Sequence, residues 1–164
     1  MDQVWLDLLL NFAATLVGVI LGIPVALWLD RKITAQRRRE EESYLLGVLR
    51  DNLNHNLNLM NQIKRELPNN VVFYHLDLSP WQTHSGRLDS IKNRELVQVI
   101  ATTYYELEHL NRKLNIQLEM NYSPFVAVNG YPLERKRLVD AILLHTESLI
   151  GLTKKAFDMI SEFG

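Results

Sequence analysis

Residues 8–29 read LLLNFAATLVGVILGIPVALWL, a run without a single charged side chain and with only Asn11 and Thr15 polar. Such a run is about 22 residues long, or roughly 33 Å as a helix, and a bilayer core is about 30 Å thick. Trp5 and Trp28 stand at its two ends, where aromatic side chains favour the lipid–water boundary. Arg31, Lys32, Arg37, Arg38 and Arg39 crowd the C-terminal side, while Asp2 and Asp7 lie on the N-terminal side. The excess of basic charge predicts a single-pass protein of the cell inner membrane, with its N-terminus outside and the rest in the cytoplasm. A cleaved signal peptide fits less well, because the start is acidic and the apolar run exceeds the usual 7–15 residues.

The domain reading follows: residues 1–30 as a transmembrane anchor, 31–42 as a charged juxtamembrane helix, and 43–164 as one cytoplasmic helical bundle. A net charge of -1 offers no general attraction to nucleic acid, since basic charge is local to residues 31–39 and 135–137. The chain has no cysteine, which removes disulfides, thiolate nucleophiles and cysteine-based zinc sites.

Within the anchor, Ala14, Gly18, Gly22 and Ala26 recur every fourth residue. Lipid supplies no hydrophobic force between helices, so close packing along small residues drives their association. The strip predicts a homo-oligomer. Asn11 is costly against acyl chains and is expected to face a partner helix, the headgroups or a water-filled lumen, which makes it the candidate pore-lining residue. Pro24 removes one backbone hydrogen bond and is expected to kink the helix.

The cytoplasmic part reads as all-α, an antiparallel bundle of three long helices and one short one. Leu46, Leu49, Leu53, Leu57, Met60, Ile63 and Leu67 form one stripe over residues 36–67, ended by Pro68. Residues 71–78, VVFYHLDL, suit either a short strand or an extended cover. Ser79 and Pro80 read as N-cap and first position of a short helix ending near Gly86. Leu96, Ile100, Thr103, Leu107, Leu110 and Leu114 mark a helix over 93–120. Leu138, Ile142, His145, Leu149, Leu152, Ala156, Met159 and Phe163 mark another over 133–163.

Three polar features need a reason. Asn56 falls about 30° from the centre of its apolar stripe and must find partners, expected in the segment Trp81–Arg87. His145 lies centred on the stripe of the last helix and is read, like Asn56, as a buried hydrogen-bonded residue. Arg50 and His55 fit R-x4-H, which resembles the motif of HEPN domains, helical bundles that often dimerise and cut RNA. That resemblance implies that Arg50 steadies the phosphate while His55 moves protons. An unbroken helix would set the two about 140° apart, so a solvated helix face is the competing reading. Glu106 and His109 make a single Glu-x-x-His, too little for a di-metal bundle. No metal and no cofactor is expected, and the chain reads more readily as non-enzymatic than as an enzyme.

Three stretches, GVILGIPVALWLDR, LRDNLNHNL and WQTHSGRLDSIKNREL with YYELEHLN, resemble uncharacterised bacterial membrane-anchored helical proteins. More distantly the architecture is similar to the HEPN-like accessory proteins of type VI CRISPR systems, whose membrane helices assemble into a pore. The resemblance implies an oligomeric, membrane-perturbing role in antiviral defence, with the lipid bilayer and the chain itself as partners. Two alternatives stand beside it: a membrane-tethered RNase, and a scaffold holding a cytoplasmic protein or RNA partner. The scaffold would use the aromatic segments around Phe73 and Tyr74, or Phe125 and Tyr131.

Overall fold

The leucine stripe and the absence of any breaker between residues 29 and 36 carry one helix, α1, from Asp2 to Glu66. The computed structural model describes residues 2–70, 73–122 and 131–163, and among them there is no strand. After α1 come α2 (Ser79–His84), a single 3-10 stretch (Ser85–Ser90), α3 (Arg94–Tyr122) and α4 (Tyr131–Phe163). The fold is all-α, with one long apolar helix at the N-terminus.

The chain divides into two compact units, residues 1–41 and 42–164. In the first unit every side chain described is exposed, from Gln3 through Glu41. Its best window has a mean hydropathy of 2.3 with none of it buried. Pro24 lies inside the helix, which continues through it unbroken.

The second unit has a core of its own. Leu49, Leu53 and Met60 from α1 pack with Leu107, Leu110 and Leu114 from α3 and with Ile142, Leu149 and Ile160 from α4. Leu76, Leu88 and Ile91 from the connection between α1 and α3 complete it. α1 closes with the Leu67 N–H on the Ile63 carbonyl and the Asn69 and Asn70 N–H groups on the Glu66 carbonyl, just where Pro68 forbids continuation. α3 opens with the Asn93 side chain accepting the Leu96 N–H at 3.1 Å, an N-cap.

Residues 73–78 form neither helix nor strand. Tyr74 reaches Glu66 and Asp77 reaches Asn56, so this segment runs back along α1. It also runs counter to α3, because Leu76 meets Asn111 and Trp81 meets Tyr104. The last turns of α1 and the body of α3 therefore point the same way. α4 returns against α3. His145 of α4 lies between Glu106 and Lys113 of α3, and a parallel arrangement would ask residues 123–130 to span about 40 Å, beyond their reach of roughly 32 Å.

Candidate functional site

Several of the buried polar residues gather around the segment 73–78. Asn56 is fully buried and uses its whole amide there. Its Nδ2 donates to the Asp77 carbonyl at 2.8 Å and its Oδ1 accepts the Asp77 N–H at 2.8 Å. One turn earlier, Asn52 Oδ1 accepts the other Asn56 proton at 3.1 Å, and also the Tyr104 hydroxyl at 2.8 Å. Asn52 Nδ2 donates to Asp77 Oδ2 at 2.8 Å. From α3, Asn111 repeats the pattern on the neighbouring residue: it accepts the Leu76 N–H and donates to the Leu76 carbonyl, both at 2.8 Å.

A primary amide has the same donor and acceptor as a peptide group. Two asparagines thus stand where neighbouring strands would stand, and satisfy the backbone of a segment that no sheet covers. The expectation that Asn56 ties α1 to another element holds, but its partner is Asp77, not the segment Trp81–Arg87. Trp81 instead stacks on Tyr104, rings 5.0 Å apart and 11° from parallel. Burial, with the Asp77 charge adding to it, pushes the Tyr104 phenol up, so it remains a hydrogen-bond donor to Asn52. Burial also pushes the Asp77 carboxyl up, but the Ser79 hydrogen bonds, nearby His55 and the Asn52 amide outweigh it. The net result lies below the ordinary value of 3.8.

Ser79 is the first residue of α2 and not its cap. Leu78 holds the N-cap position and makes no side-chain cap bond, while Asp77 Oδ1 accepts the Ser79 N–H at 2.9 Å. The capping oxygen comes from the residue two places earlier, in an Asx turn that the Ser-Pro pair masks in the sequence.

Arg50 and His55 are both exposed on unbroken α1, and Arg50 approaches its neighbour Asp51 at 3.6 Å. His55 lies near enough to Asp77 for its charge to be felt there.

His145 is mostly buried at the flank of the α4 core, with 14% of its side chain exposed. Its Nε2 lies 2.8 Å from Glu106 Oε2, and its Nδ1 lies 3.0 Å from Lys113 Nζ. An ammonium only donates, so Nδ1 accepts and Nε2 carries the proton toward Glu106. The core of α4 instead includes Thr146 and Thr153, whose hydroxyls donate to the Ile142 and Leu149 carbonyls one turn back. Among the described residues no group of three His, Asp or Glu side chains is placed to hold a metal ion.

In the first unit, Thr15 spends its hydroxyl on the Asn11 carbonyl at 2.8 Å. At 100° per residue, Asn11 falls about 20° from Gly18, so both polar residues of the apolar run share the face of Gly18 and Gly22. A Cβ placed on either glycine would meet nothing within 4 Å. Phe73 is exposed and Tyr74 half-buried against Glu66, whereas Phe125 and the Tyr131 side chain lie outside the described residues. No protein-family profile, curated protein or solved structure matches this chain.

Proposed function

We propose that this chain is an inner-membrane protein anchored by its N-terminal helix, which self-associates in the bilayer and perturbs it. The anchor spans the membrane once, with the helical bundle on the cytoplasmic side. The observation that carries the reading is the exposed apolar surface of residues 5–29 with its one small, polar-marked face. Exposing that many large apolar side chains to water is unfavourable at about 25 cal/mol per Å², and lipid removes the cost. The strip of Ala14, Gly18, Gly22 and Ala26 then lets backbones approach closely. Asn11 on the same face places an amide at the helix–helix contact or at a lumen, instead of toward acyl chains.

The bundle supplies no arrangement that favours the tethered RNase over this reading. Arg50 and His55 point about 140° apart, and among the described residues Arg50 pairs with its own neighbour Asp51.

Reconstitution tests the proposal. The full chain should resist alkaline carbonate extraction from membranes and release a small dye from liposomes. Gly18→Leu with Gly22→Leu should stay membrane-bound and lose most of the release. Extraction of the wild type by carbonate, or undiminished release by the variant, contradicts it.

A further inference from the structure

The outward side of the α3–α4 hairpin is bulky on one helix and small on the other. Along α3, Tyr105, His109, Arg112 and Ile116 recur at helical spacing, and Tyr105 is 60% and Ile116 46% exposed. Along α4, exposed Ala141, Ser148 and Gly151 surround Leu144, which is 73% exposed. A Cβ on Gly151 would meet nothing within 4 Å. Tyr105, His109, Ala141, Leu144 and Ser148 line one shallow depression, so the two stripes share a face.

The position of His145 between Glu106 and Lys113 sets the levels. Each step forward on α4 matches a step back on α3. Gly151 therefore lies level with the turn holding Tyr105, Ala141 with the turn holding Arg112 and Ile116, and Arg137 with the turn between Ile116 and Glu119.

We propose that this face binds a second copy of the chain, the two hairpins meeting about a two-fold axis that runs along them. Such an axis keeps every level and exchanges the helices, so α3 of one copy lies on α4 of the other. Tyr105 then covers the partner's Ser148 and Gly151, Ile116 covers the partner's Ala141, and Leu144 seats beside the partner's His109. Tyr105 and Ile116 thus meet small side chains on both halves. Charges match as well: Arg112 comes beside the partner's Asp140, and Glu119 beside the partner's Arg137, each pair occurring twice. All four side chains are exposed, and the present partner of Arg112 is Glu108 on its own helix, an exposed pair that adds little to stability. The inference rests on the self-association proposed above and names the part of the bundle that takes part in it.

Crosslinking tests it on the full chain in detergent. The native sequence lacks cysteine, so a short bismaleimide joins only introduced thiols. Tyr105→Cys combined with Gly151→Cys should give a crosslinked dimer. Each single variant should stay monomeric, because identical residues lie across the axis from one another. Asp140→Arg added to the double variant should lower the yield about fivefold, and Arg112→Asp should restore it. A multimeric wild type whose double variant gives no dimer overturns this face alone, and a monomeric wild type overturns it together with the anchor assembly. Single variants that crosslink as well as the double variant also overturn it.

Discussion

Asn56 and Gln117 are both buried amides, and they make opposite contributions. Asn56 →Leu would leave the Asp77 N–H and carbonyl without their partners and remove one donor from Asn52 Oδ1. At about 1–3 kcal/mol for each of the two stranded groups, a loss of roughly 2–6 kcal/mol is expected from thermal or denaturant unfolding. Among the described residues Gln117 finds no partner for either amide atom, although only 1% of the residue is exposed. Gln117→Leu keeps the volume and removes the unpaired group, so the same measurement should show a gain of about 1 kcal/mol. Asn56 was legible because it interrupts an apolar stripe. Asn52 and Asn111 were missed since each lies beside its stripe, and what buries them is a segment distant in sequence. Thr146 and Thr153 were missed for a related reason: a threonine that bonds its own helix backbone can replace an apolar residue in the core, and hydropathy does not register that. His145 lies at the flank of the buried face of α4, mostly buried and hydrogen-bonded to Glu106 and Lys113.

The elements themselves were more legible than their edges. The long stripes locate α3 and α4 to within two residues, because they depend on periodicity alone. Residues 71–78 read equally as strand or cover, since what holds Leu76 and Asp77 is a pair of amides on two helices distant in sequence. Of these, 71–72 lie outside the described residues. Asp77 fastens that segment to α2, and its effect depends on pH. Its carboxyl titrates lower in the folded chain than in the unfolded one, so its stabilisation is complete above the unfolded value near 3.8 and is lost as pH falls through the lower folded value. Asp77→Asn should therefore be least stable relative to wild type at neutral pH. Thermal melts should show that gap narrowing below about pH 4. A gap that is constant with pH would mean the carboxylate charge has no part in holding the segment.

At the scale of the whole molecule, one long helix contributes to an exposed apolar unit and to a bundle with its own core. Composition announced the first directly, because only a membrane or a large partner makes such a surface tolerable. The second was visible as helices, while the shared direction of α1 and α3 was not, because it follows from how the connection between them is held. The central claim is that the anchor helices assemble through the face of Gly18 and Gly22. Light scattering on the detergent-solubilised full chain, with the detergent contribution subtracted, tests it beside Gly18→Leu, Gly22→Leu. A defined multimer for the wild type and a smaller species for the variant is the predicted result. A monomeric wild type, or a variant of unchanged mass, would contradict it.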